Sequence, residues 1–241
     1  MGVYDHNLRV LTMANTSGYY WREPNTIGVN NTRKDEEVRI GIIGAGNVGK
    51  ALASSMQRAG HDVVISASTP HSAAAAADQV GTHAASSNVE AARDADVVIL
   101  AVPYVGAGEA VASEIRDAVT GKTVIDVTNP IRPDFTGLAT TEKSGAEELQ
   151  DRLPGASVVK AFNTIFASNQ ANPSPTVDAY VAADDAAARA RVSELAESIG
   201  FTPVEVGPLS AARALEGMAY INIGLNAQNG WSWTSSWKLE R

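Results

Sequence analysis

From Val38 onward, short apolar runs alternate with stretches whose apolar residues recur at helical spacing. Val38-Arg39-Ile40-Gly41-Ile42-Ile43 reads as a buried strand, followed by a glycine turn and a helix from about Asn47 to Ala59. Val63 to Ile65 is a second strand, and the alanine run Ala73 to Ala77 sits in a helix closed by Gly81. Asp96 to Val102 is the strongest strand and stops at Pro103; a helix from Gly106 to Val119 follows, with Gly121 as its stop. Further strands are expected at Thr123 to Val127, Val158 to Phe162, Ala179 to Ala182 and Phe201 to Val206. Helices are expected at Ser144 to Leu153, at Asp184 to Ile199 with Asp184 as N-cap and Gly200 as stop, and from Ser210 to about Asn226.

Strands apolar on both faces, alternating with helices, predict an α/β fold of Rossmann type: a doubly wound, mostly parallel sheet with a short helical C-terminal cap. Such a sheet places its ligand crevice at the carboxyl ends of the strands. Residues 1–37 are polar, rich in Asn and Thr, and show no period. They read as an irregular extension, or as an arm that packs Tyr19, Tyr20 and Trp21 on its own or a neighbouring subunit. Residues 38–209 would form the dinucleotide-binding domain and 210–241 a helical, Trp-rich cap. Three of the four tryptophans fall between Trp231 and Trp237, a density that suits packing onto the domain, a dimer contact or a flat wall for a ring substrate.

Composition narrows the chemistry. The 241 residues carry a net charge of −8, which disfavours nucleic acid and anionic membranes as partners. There is no cysteine, so disulfides, thiol catalysis and zinc–thiolate sites are excluded. No apolar run has the length of a membrane span and the N-terminus lacks a signal-peptide layout, so a cytoplasmic location is expected. The histidines form no recognisable catalytic or metal constellation.

Gly44-Ala45-Gly46-Asn47-Val48-Gly49 matches G-x-G-x-x-G between a buried strand and a helix, the context that makes this pattern specific for a dinucleotide. Gly44 permits the tight turn, Gly46 the approach of a pyrophosphate, and Gly49 close helix–strand packing. An NAD site usually has an acidic residue about 20 residues on. Here Ile65-Ser66-Ala67-Ser68-Thr69-Pro70-His71 contains none, and Asp62 lies at the strand's far end. That absence favours NADP, with hydroxyls and His71 near the 2′-phosphate.

Val102-Pro103, Asp126-Val127-Thr128-Asn129-Pro130 and Val159-Lys160-Ala161-Phe162-Asn163-Thr164 complete the pattern together with GIIGAGNVG and Gly60-His61-Asp62. With these segments the chain resembles the NADPH:coenzyme F420 oxidoreductase family, relatives of the N-terminal reductase domains of ferric reductases. The resemblance spans about residues 38–225. It implies a cytoplasmic enzyme that passes a hydride between NADP(H) and a coenzyme F420 or flavin ring, by positioning rather than by an acid or base. It implies a pyrophosphate cradle of Gly44, Ala45, Gly46, Asn47 and Val48, with Ser66, Ser68 and Thr69 near the 2′-position and Ala101, Val102 and Pro103 under the riboses. Asn129, Pro130, Ala161, Phe162, Asn163 and Thr164 would face the nicotinamide or the second ring. Phe162 could equally be core, and Lys160 could attract an acidic ligand tail or point to solvent. The partner implied is a small ring acceptor, with a homodimer left open. Two other readings are a non-catalytic NAD(P)-binding sensor and a pyrroline-carboxylate-reductase-like imine reductase.

Overall fold

The computed structural model describes residues 38–240. The expected N-terminal extension lies outside the described residues. The chain forms an eight-stranded sheet in the order β3-β2-β1-β4-β5-β6-β7-β8. The strands are β1 (Arg39–Ile43), β2 (Asp62–Ser66), β3 (His83–Ala84), β4 (Val97–Leu100), β5 (Thr123–Asp126), β6 (Ser157–Lys160), β7 (Asp178–Ala182) and β8 (Thr202–Gly207). All neighbours are parallel except β6 and β7, which pair antiparallel at Lys160 and Ala182. The order reverses at β1, which has β2 on one side and β4 on the other, so a crevice opens at the carboxyl ends of β1 and β4.

The helices are α1 (Asn47–Arg58), α2 (Pro70–Val80), α3 (Asn88–Arg93), α4 (Glu109–Ile115), α5 (Gly145–Arg152), α6 (Ala167–Ala171), α7 (Ala186–Ser198) and α8 (Ala212–Asn229). They cover both faces because the strands are apolar on both. One core packs Ile42, Ile99, Ile125 and Val159 against Leu52 and Met56 of α1 and Val192 and Leu195 of α7. The other packs Ile43, Val98, Val124 and Val158 against Ala112 and Ile115 of α4 and Leu149 of α5. Alternate residues of one strand thus enter different cores, the period-2 rule of a pleated sheet.

Local chemistry sets the helix ends. Thr69 caps α2 by accepting from the amide of Ser72 at 3.1 Å, Pro70 stands at its first turn, and Gly81 closes it at φ +75°. Ser144 and Glu147 form a reciprocal capping box on α5. Two expectations are corrected. Asp185, not Asp184, caps α7 by accepting from Ala187 and Ala188, while Asp184 accepts from the amide of Leu209 at 2.8 Å. The helix expected from Gly106 begins only at Glu109, because Val105 and Gly106 take non-helical angles in the preceding Tyr104–Gly108 turn. The short β3, α3 and α6 lacked a periodic run long enough to announce them.

The final segment is tied down by hydrogen bonds rather than by a packed helix. Asn226 donates to the Ser235 hydroxyl at 2.6 Å, and that hydroxyl donates to Asn222 at 2.6 Å. Leu239 donates its amide to Asp178 at 2.6 Å and the Lys238 ammonium pairs with the same carboxylate at 2.8 Å. Trp237 packs against the cluster of Tyr180, Ala182, Val204 and Leu215, while Trp231 and Trp233 remain about half exposed.

β1 can lie flat under α3 only because residue 41 is glycine: a Cβ there would sit 2.0 Å from the Ala91 carbonyl oxygen. Gly41→Ala should lower stability by about 1–3 kcal/mol, the range for overpacking a filled core. The urea unfolding midpoint checks this; an unchanged midpoint would refute the packing constraint.

Candidate functional site at the carboxyl edge of the sheet

The glycine loop leaves β1 and enters α1. Gly44 has φ +116°, and a Cβ on it would lie 2.3 Å from the Ala101 carbonyl oxygen. Gly49 lets α1 press down until a Cβ would lie 1.8 Å from the Gly44 carbonyl oxygen. Gly46 differs from both: it is exposed, its φ is −74°, and a Cβ would meet nothing within 4 Å. It is the N-cap of α1 but has no side chain to cap the first turn, and that turn carries no acid. The amides there therefore face an open shelf with the positive end of the helix dipole behind them, a fit for a pyrophosphate.

At the end of β2 the expected 2′-site residues part company. Ser66 is fully buried: its hydroxyl donates to Asn88 at 2.9 Å and its carbonyl accepts the Gly44 amide at 3.0 Å. It braces the glycine loop from below and cannot meet a phosphate, which corrects that expectation. Ser68 and Thr69 are exposed, though the Thr69 hydroxyl is engaged in capping α2. Asp62 starts β2, opposite Arg39 in the register, at the far end of the strand. Beyond β4, Ala101 and Val102 are half-buried and Pro103 is exposed, all at the crevice.

The ends of β5 and β6 build two walls. Asn129 donates from Nδ2 to the Asn163 carbonyl at 2.9 Å, and Asn163 donates from Nδ2 to Asn129 Oδ1 at 2.9 Å. This reciprocal pair, with Val48 of α1, Val127, Phe166, and Ala219, Asn222 and Ile223 of α8, encloses a pocket of about 140 Å³. Asn163 Oδ1 is buried in that wall without a partner, an orphan acceptor that a carboxamide N–H would satisfy. Trp233 packs edge-on against Phe166 with ring centroids 5.4 Å apart, which brings the Trp-rich segment to the pocket's rim. The lining residues contribute only apolar and uncharged polar side chains. A second cleft of about 270 Å³ lies beyond β4 and β5, lined by Val102, Tyr104, Asp126, Thr128, Leu149 and Arg152. Burial and the neighbouring Glu148 raise the Tyr104 phenol well above its ordinary pKa, so it stays a proton donor.

Phe162, Pro130 and Ala161 are buried, and of the three Phe162 lines the pocket. Phe162 is fully buried, and its ring lies 6.2 Å from that of Phe201 in the core. Its backbone, at φ +60°, turns the chain so that Asn163 reaches the wall, and its carbonyl is held by the Gln170 side chain at 3.0 Å. Phe162 therefore lines the pocket from its core side, with its ring packed in the interior. Pro130 is buried, with its carbonyl accepting the Ala139 amide at 2.6 Å, and the Ala161 side chain is fully enclosed. Thr164 is also buried but does line the pocket.

Lys160 fits neither expectation. It is wholly buried, 2.9 Å from Asp126 and 3.0 Å from Glu216, and it donates to the Thr128 carbonyl at 2.6 Å. Burial opposes its charge, but the two carboxylates outweigh burial and hold its pKa above the ordinary value. Burial raises Glu216, with Lys160 pulling the other way; Glu216 also accepts the amides of Gly145 and Ala146 at 3.1 and 3.3 Å. Glu216 was not foreseen. The one signal in the sequence was a lysine inside the apolar run Val158 to Phe162.

Strand order, glycine shelf and amide-lined pocket define a dinucleotide-binding oxidoreductase scaffold. Residues 39–130 match the family described as NADP oxidoreductase, coenzyme F420-dependent. A solved structure from Arthrobacter sp. FB24, a candidate F420-dependent NADP-reductase, is 25% identical, covers 85% of this chain and 100% of its own, and superposes with a TM-score of 0.77. A hypothetical protein from Sinorhizobium meliloti is 32% identical over 74% of this chain and 89% of its own, with a TM-score of 0.65. Metalloreductase STEAP2 of Homo sapiens is 29% identical over 79% of this chain, which spans only 38% of that relative's length. Residues 39–130 thus carry a domain of that family.

The empty space over Gly46 separates folding from binding. Gly46→Ala should change stability by no more than about 1 kcal/mol and weaken NADPH about tenfold, equivalent to about 1.4 kcal/mol. Thermal unfolding and a fluorescence titration read the two effects. Unaltered NADPH affinity would place the pyrophosphate elsewhere.

Proposed function

We propose that this chain passes a hydride between NADP(H) and a planar deazaflavin or flavin ring at the carboxyl edge of its sheet. The carrying observation is the lining of the pocket beside the glycine loop: side-chain amides, the Thr164 hydroxyl and apolar groups, with no titratable side chain. Hydride transfer between two rings needs alignment and exclusion of water rather than proton transfer by a side chain. When bound, NADPH supplies the hydride from C4 of its nicotinamide.

The residues divide the work by position. Gly44 to Val48 hold the pyrophosphate on the first-turn amides, with Gly49 and Ser66 supporting the loop. Ser68 and Thr69 lie toward the adenosine 2′-position, where no carboxylate repels a phosphate. Ala101, Val102 and Pro103 form the floor at the riboses. Asn129 and Asn163 orient the carboxamide, and Ala219, Asn222 and Ile223 of α8 close the acceptor side. The relatives support this reading through the F420-dependent description of the family and of the Arthrobacter structure. The name of the human relative, a metalloreductase, points to a metal ion as terminal acceptor, which requires a flavin to divide the hydride into single electrons.

Titration with NADPH and NADH, then turnover with F420, FMN, FAD and FAD plus a ferric chelate, tests the proposal. NADPH should bind at least about tenfold more tightly than NADH, and Ser68→Asp should remove that preference. Tighter NADH binding by the unmodified chain would overturn the 2′-phosphate argument. Dinucleotide binding without turnover of any acceptor would favour a sensor.

A further inference from the structure

The buried lysine and the pocket wall are parts of one closed circuit. Asp126 and Lys160 are register partners on β5 and β6, with side chains on the same face. Residue 128 is held at both ends: its amide donates to Asp126 Oδ1 at 2.9 Å and its carbonyl accepts from Lys160 at 2.6 Å. The next residue is Asn129, which exchanges two hydrogen bonds with Asn163. Asn163 also donates from Nδ2 to the Leu215 carbonyl at 3.1 Å. The residue after Leu215 is Glu216, which returns to Lys160 at 3.0 Å. The circuit therefore runs Lys160, Thr128, Asn129, Asn163, Leu215, Glu216 and back to Lys160.

We infer that Lys160 is a positioning residue: its link to Glu216 is the clasp that fixes the Asn129–Asn163 wall against α8 and so sets the alignment of the two rings. The second half of that statement rests on the hydride-transfer reading; the first concerns the free protein. Sheet packing alone does not call for this arrangement. An apolar residue would fill the position, and buried ion clusters are often replaceable by apolar groups without loss of stability. The ammonium instead supplies donors at fixed directions to a backbone carbonyl and a helix-borne carboxylate, which packing cannot do. The Gly145 and Ala146 amides also donate to Glu216 and tie that carboxylate to the start of α5.

The test uses the full chain, isotopically labelled, with Lys160→Met and Glu216→Gln. In the free protein, the side-chain amide NMR signals of Asn129 and Asn163 should shift and lose protection from hydrogen exchange in both variants. The NADPH dissociation constant should stay within about threefold, because the glycine loop lies outside the circuit. With whichever acceptor the unmodified chain reduces, kcat should fall about 10–100-fold, the scale of a small misalignment. The clasp is overturned if both Asn signals and kcat stay unchanged in a folded variant, or if NADPH affinity falls in step with kcat. It is equally overturned if neither variant folds, which assigns the cluster to the fold alone. If the unmodified chain reduces no acceptor, the hydride-transfer reading fails, and the amide signals and NADPH affinity still decide the clasp.

Discussion

A charged lysine in the dry interior constrains this molecule more than any other single contact. Lys160 stands in a central strand with no exposed surface, and an ammonium there is tolerable only if its donors are met by strong acceptors. Asp126, Glu216 and the Thr128 carbonyl meet them. That requirement fixes where α8 crosses the sheet, because Glu216 is carried on α8. It also fixes the course of the chain after β5. A Rossmann sheet can end its strands in many kinds of loop; here the loop has to return a carbonyl to Lys160 and then present Asn129.

The glycine loop meets an independent constraint of sterics. Gly41, Gly44 and Gly49 are places where backbone touches backbone and a methyl group would not fit. Of the glycines from 41 to 49, Gly46 alone faces open space, which is why it reads as the ligand position and the others as scaffold. The two constraints converge at Val48, which belongs to the helix of the glycine loop and to the pocket walled by Asn129 and Asn163. In the proposed function, a dinucleotide on the shelf directs its reactive end toward amides rather than toward titratable groups.

Periodicity made the large elements legible in the sequence, since strands buried on both faces and amphipathic helices leave strong patterns. The glycine roles were also legible, because each follows from the geometry of a strand–turn–helix. What escaped depends on pairing across distance. Nothing local distinguishes Glu216 from an exposed helix residue, and it becomes a site only when α8 crosses Lys160. Ser66 was misplaced for the opposite reason: its neighbours in sequence are exposed at the crevice, but alternation along the strand turns its side chain inward. Asp184 and Asp185 are equivalent as capping residues on paper, and the demand of the Leu209 amide decided between them.

In the proposed function the dinucleotide lies over Gly46 with its nicotinamide against the asparagine pair. A crystal structure of the full chain with NADP+ tests this most directly. Pyrophosphate oxygens should lie within hydrogen-bonding distance of the Asn47 and Val48 amides, the 2′-phosphate at Ser68 and Thr69, and the carboxamide on Asn163. A nicotinamide bound instead in the cleft of Tyr104 and Arg152, or a glycine shelf left without phosphate, would contradict it.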